Sequence, residues 1–110
     1  MNQLSLDPKT SVLNTLQGHV GAANGITAKN LAVMARLSER DVRAQVSALR
    51  EEGIAICGHP RTGYFVAETQ AELETTVEYL TSRAMHSLRL ASRLTRIPLP
   101  DLIGQLKLKT

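Results

Sequence analysis

Tryptophan is absent from this 110-residue chain, and the aromatic residues are only Tyr64, Phe65 and Tyr79. Proteins that grip single-stranded nucleic acid stack bases on several aromatic faces, so this scarcity argues against that class of ligand. Cysteine occurs once, at Cys57, which excludes an internal disulfide and suits a reducing compartment. Nowhere do about 18 apolar residues run together, the length a membrane-spanning helix needs. The opening residues, Met1 to Asp7, show neither a basic region nor the apolar stretch of a secretory leader, so the expected location is cytoplasmic.

What remains is an ordinary aliphatic composition, with 43% hydrophobic and 21% charged residues. One domain is expected, with enough apolar residues to fold without metal or disulfide. The net charge of +3 is unevenly spread. From Arg83 onward there are six basic residues (Arg83, Arg89, Arg93, Arg96, Lys107, Lys109) against Asp101 alone, and the remainder is slightly acidic. A basic segment of this kind suits a polyanionic partner.

Local signals divide the chain into short elements. Asp7-Pro8 reads as a helix start, with Val12, Leu13 and Leu16 as its apolar stripe and Gly18 to Gly25 as the loop that follows. Gly25-Ile26-Thr27 reads as a short extended piece, and Thr27 caps a second helix whose expected buried residues are Leu31, Met34 and Ala35. Ser38 caps a third helix, which Gly53 stops. In it Val42, Val46 and Leu49 share one face, the core side, leaving Arg40, Ala44 and Ser47 opposite with Arg43 beside them. Ile54 to Cys57 and Tyr64 to Ala67 read as strands, joined by a loop over 58–63.

Thr69-Gln70-Ala71-Glu72 is a capping box, and no glycine or proline follows it before Ile97. The spacing predicts a helix from Gln70 to about Thr95, roughly 39 Å long at 1.5 Å per residue. A domain of about 85 residues is only about 30 Å across, so part of that helix is expected to project. Leu73, Val77, Leu80, Ala84, Leu88 (or Ser87), Ala91 and Leu94 follow a four-and-three seam, the pattern of a dimerisation face. His86, Arg89, Arg93 and Arg96 form a basic stripe on another side. Pro98 and Pro100 end the helix, and the last residues, 98–110, are a Pro-containing basic tail or end in a short amphipathic helix over 101–108.

The stretch from Ile26 to Ala67 resembles the winged helix-turn-helix DNA-binding domains of the biotin-operon and sugar-operon repressor type. The resemblance is carried by Leu31-Ala32, Leu37-Ser38, Val42-Arg43, Leu49-Arg50-x-x-Gly53-Ile54 and Gly63-Tyr64. Its small size, without a sensor domain, looks like a phage or mobile-element regulator. The fold so implied is mainly α with a small β-hairpin wing, over residues 1–68, plus a long C-terminal helix over 69–97. The implied function is sequence-specific binding of double-stranded DNA as a homodimeric transcriptional regulator. A recognition helix over about 39–51 would lie in the major groove, and a wing over about 58–63 on the flanking backbone or minor groove. Three residues depart from the family pattern. Arg36 stands at a customary turn glycine, Asp41 replaces a small or hydroxyl residue, and Glu39 adds a second acid beside it.

Arg40 and Arg43 are the candidates for base contacts, because a guanidinium can bond both O6 and N7 of guanine. Their alternative is pairing with Glu39, Asp41 or Glu51 on a solvated helix. Thr27, Lys29, Asn30, Ser38 and Ser47 are candidate phosphate contacts, or caps and surface residues. His59, Arg61 and Thr62 occupy the wing tip. Two other function classes stay open: a protein-interaction adaptor that uses the domain as a scaffold and offers its basic helix and tail to a protein partner, and a phage replication or packaging protein that binds DNA. Cys57-x-His59 lacks the further ligands of a zinc site, and nothing supplies a nucleophile, base and orienting group together. Neither a metal, a cofactor nor an enzymatic activity is expected.

Overall fold

The computed structural model describes residues 7–108. Lys109, and the first six residues on which the reading of an absent leader rests, lie outside them. The elements are α1 (Pro8–Leu16), α2 (Ala28–Ala35), α3 (Glu39–Glu51), β1 (Ile56–His59), β2 (Gly63–Val66), α4 (Gln70–Thr95) and α5 (Leu99–Leu108). It is a helix-rich fold with one antiparallel hairpin and one long helix. Tertiary contacts divide the chain after Thr76 into two compact units. The first carries all of the buried core; beyond Thr76 no described residue is buried.

The helices begin where local chemistry starts them. Asp7 Oδ1 accepts from Thr10 N at 2.9 Å, Thr27 Oγ1 from Asn30 N at 3.1 Å, and Ser38 Oγ from Asp41 N at 3.0 Å. Each bond satisfies an amide that the first turn of a helix leaves without a partner. The helices α1, α2 and α3 pack against one another pairwise. Their core is Val12 and Leu16 from α1, Leu31, Ala32 and Ala35 from α2, and Val42, Val46 and Leu49 from α3, completed by Ile26 and Ile56. Met34 is not part of it: its side chain is 61% exposed, and Ala32 takes the inward position expected of it. Six of the eight residues of α2 are apolar, so periodicity did not single out its inner face. Alanines at 32 and 35 let neighbouring helices approach closely, which a methionine would prevent.

Three residues turn the chain from α2 into α3. Arg36 adopts the left-handed conformation (φ 60°, ψ 46°), and Leu37 N donates back to Ala32 O at 2.9 Å. This closure of a helix end usually employs glycine, and a Cβ there costs about 1–2 kcal/mol. Gly53 ends α3 in the same way at φ 90°, with Ile54 N donating to Leu49 O at 3.1 Å.

Both strands lie closer to the turn than the sequence implies, β1 two residues later in the chain and β2 one residue earlier. Gly58 and His59, expected in the loop, belong to β1 and pair with Tyr64 and Gly63, while Ile54 and Ala55 lie outside the strand. Gly58 N donates to the hydroxyl of Thr76 at 3.3 Å, a buried residue of α4. The loop expected over 18–25 is tied down at both ends. Gly21 N donates to Val66 O at 2.9 Å, and Ile26 and Tyr64 exchange two backbone bonds of 2.8 and 2.7 Å. Ile26 is thereby laid along the outer edge of β2 by an isolated antiparallel bridge.

Glu72 joins the start of α4 to that pinned loop. One carboxylate oxygen accepts from Ala22 N at 2.8 Å and the other from Glu68 N and Thr69 N at 2.8 and 3.3 Å, while Thr69 Oγ1 accepts from Glu72 N at 3.1 Å. The capping box is therefore complete, with one further bond reaching 50 residues back. The Ala22 amide, then that of Glu68, hold the Glu72 carboxyl below its ordinary value of 4.5 against the opposing effect of desolvation. A carboxylate with a depressed folded-state pKa contributes stability that is present above the unfolded pKa and lost as pH falls through the folded one. Glu72→Gln should therefore lower the urea midpoint most near neutral pH, with the gap to the parent closing below pH ~4; a gap independent of pH would contradict the assignment.

At the other end, α4 finishes at Thr95 as expected, and Arg96 is left-handed at φ 58°. Ser92 Oγ donates to Ile97 O at 2.5 Å across this turn. Of the two readings of the last residues the structure has the helix, from Leu99 to Leu108, beginning two residues before Asp101 with Pro100 in the first turn, where a missing amide hydrogen loses no bond.

Candidate nucleic-acid interface

The turn at Arg36 to Ser38 positions α3 so that Val42, Val46 and Leu49 are buried at 1% exposure or less. Rotation of 100° per residue then sends Arg40, Arg43, Ala44 and Ser47 outward, and all four are exposed. Ala44 and Ser47 are small, so they leave the two arginines standing above a low surface. Arg43 forms an ion pair of 3.5 Å with Glu39, one turn earlier; both side chains are about half exposed or more. Such a pair contributes only a few tenths of a kcal/mol on a helix surface. Among the described residues, Arg40 has no ion pair, and neither has Asp41.

On α2, Lys29 and Asn30 are exposed in the first turn, together with Thr27 at the cap. The hydroxyls of Thr27 and Ser38 both accept capping bonds and keep their own hydrogens to donate. At the hairpin turn Arg61 is exposed, and its amide donates to His59 Nδ1 at 3.1 Å. His59 and Thr62 are half-buried. The Thr62 hydroxyl donates to Gly63 O at 3.0 Å, so it is turned back onto the hairpin. Arg50 ties the end of α3 to the strands: its Nε donates to Ile56 O at 2.8 Å, and its guanidinium lies 6.0 Å from the centre of the Tyr64 ring. Sequence reading placed Glu72 in its capping box and Arg50 in the motif before Gly53, but not the bonds that join Glu72 to Ala22 and Arg50 to Ile56, and it did not single out Thr76, which accepts from Gly58 N.

The seam on α4 divides. Val77, Leu80, Ala84 and Leu94 are exposed, Leu94 at 86%, whereas Leu73, Leu88 and Ala91 are half-buried. Leu90, outside the expected seam, is also exposed at 45%. The outward face of α2 adds Val33 at 71%.

Cys57, in β1 opposite Phe65, is fully buried. Among the described residues no group of three or more His, Cys, Asp or Glu is placed to hold a metal ion, and no helix is long and apolar enough to cross a membrane. No family model matches the chain, and no curated protein and no solved structure is similar to it.

Proposed function

We propose that this chain is a double-stranded DNA-binding regulator of the winged helix-turn-helix type, with α3 as recognition helix, the β1–β2 hairpin as wing and α4 as the dimerisation helix. The observation that carries the reading is the outward face of α3, where Arg40 and Arg43 stand exposed beside Ala44 and Ser47. An arginine needs that freedom to form a bidentate pair with a guanine edge, and small neighbours let the helix enter a groove. Support comes from the element order, helix, edge segment, two helices joined by a three-residue turn, then hairpin. The exposed leucines and valine on α4 support pairing of two copies, because a face of that kind gains by being covered.

Selection of bound sequences from random duplex DNA tests this reading as a whole. The expected product is an inverted pair of half-sites about one helical turn, roughly 10 bp, centre to centre. A single half-site would remove the dimer, and no enrichment would remove the sequence reader. The ion pair between Arg43 and Glu39 favours a second reading, a protein-interaction adaptor on the same scaffold, in which that face has no sequence preference to reveal.

A further inference from the structure

The second compact unit, Val77 to Thr110, contains six Lys or Arg against Glu78 and Asp101, a net charge of +4. The first unit contains seven against eight, a net charge of −1. These sum to the +3 of the whole chain. The unit that carries the candidate recognition helix therefore has no overall attraction for a polyanion, and the attraction resides in the other.

Its charge is organised. At 100° per residue, Ser82, His86, Arg89 and Arg93 fall within a sector of about 60° on α4, and Arg96 follows directly at the helix end. His86, Arg89, Arg93 and Arg96 are all exposed. Among the described residues none of the three arginines has an ion pair, and no acid occurs between Glu78 and Asp101. Arg83 is engaged differently, donating to the Tyr79 hydroxyl at 3.3 Å. Cations in the last turn complement a helix dipole, which accounts for Arg93 and Arg96 but not for Arg89, a turn earlier.

We propose that this stripe is a second docking surface of the protein, one that takes the phosphate backbone of duplex DNA without regard to sequence. A protein partner would need apolar or aromatic anchors to bind stably. Within the sector there is none: at 100° per residue the exposed Val77 and Leu80 lie about 150° from its centre and Leu94 about 110°, and Leu90, which flanks it at about 70°, is a single aliphatic side chain. Guanidinium groups spaced along a polar face suit phosphates, and their contribution comes from the release of counterions. The inference rests on the proposal that duplex DNA is the partner, but not on α3 as the reader of bases.

The test measures binding of the full chain to a random 30-bp duplex by fluorescence anisotropy as salt is varied. Replacing Arg89, Arg93 and Arg96 together by Gln should flatten the slope of log affinity against log salt by about 2.7, and weaken binding at 0.1 M salt by roughly five-hundredfold. The Arg→Lys triple variant should retain the parent slope, since counterion release depends on charge alone, whereas a structural role for the guanidinium would not be rescued. Adding the Gln triple to Arg40→Ala/Arg43→Ala should flatten the slope by the same amount again. An unchanged slope in the Gln triple overturns the inference, as does binding to vesicles of phosphatidylserine and phosphatidylcholine in place of the duplex. Duplex binding that needs the stripe but never prefers a selected sequence would sustain this inference and remove the sequence reader. A selected duplex bound with the parent slope by the triple would do the reverse.

Discussion

Gly25→Ala will destabilise the first unit by about 3 kcal/mol or more, a large part of the 5–15 kcal/mol that holds a domain of this size together. A Cβ at this position would lie 1.9 Å from the carbonyl oxygen of Thr62 and 2.9 Å from its carbon. Both are backbone atoms of the hairpin, pinned by the bonds that join Ile26 to Tyr64. Gly25 itself has φ −60° and ψ 154°, which any residue adopts, so lack of space alone forbids the methyl group. Gly53 supplies the contrasting case. Its φ is 90° but nothing lies within 4 Å of a Cβ there, so Gly53→Ala should lose only the conformational term of about 1–2 kcal/mol. Urea unfolding of the two variants checks the pair. Equal losses, or a smaller one for Gly25, would mean that the edge segment does not lie against the hairpin as described.

Arg43→Ala should lower affinity for a selected site by about 1–3 kcal/mol and relax base preference at one position of each half-site, with Arg40→Ala doing the same at another. Both side chains are exposed on the outward face of α3, and the Glu39 contact of Arg43, at 3.5 Å, is weak enough to be exchanged for a guanine edge. Lys29→Ala should behave differently, weakening all duplexes alike and reducing the salt slope by about 1, because a contact to phosphate carries no sequence information. Binding titrations on matched and mismatched duplexes separate the two behaviours. Uniform weakening in the arginine variants, with altered preference in the lysine one, would reverse the assignment of roles.

The features legible in the sequence are those whose cause lies within a few residues. Asp7-Pro8, Thr27, Ser38 and Thr69 mark helix starts because each cap bonds an amide three residues ahead. Gly53 and the prolines after Ile97 mark stops for equally local reasons. The apolar face of α3 was legible for a related reason: in a 13-residue helix of mostly polar residues, Val42, Val46 and Leu49 stand out as one stripe. On α2 that contrast is missing, and Met34 and Ala32 exchanged places between the expected core and the observed one.

The candidate site was legible to the same degree. Arg40, Arg43, Ala44 and Ser47 are exposed because the opposite side of their helix is buried, and that follows from periodicity. The half-burial of His59 and Thr62 does not follow from it. It depends on a hairpin whose turn bends back on itself, with Thr62 donating to Gly63 O and the Thr62 carbonyl lying where a side chain on Gly25 would be.

The sequence by itself thus determined where helices begin and end and which face of α3 turns inward, since hydrogen-bond caps and a 3.6-residue period act over one or two turns. Only the tertiary structure decided the rest: that Ala32 packs inside while Met34 does not, that Ile26 lies along β2, that Glu72 reaches the amide of Ala22, and that Gly58 and His59 belong to the strand. Each of these depends on what a distant segment brings to the contact, and close packing accepts only the side chain that fits the space left for it.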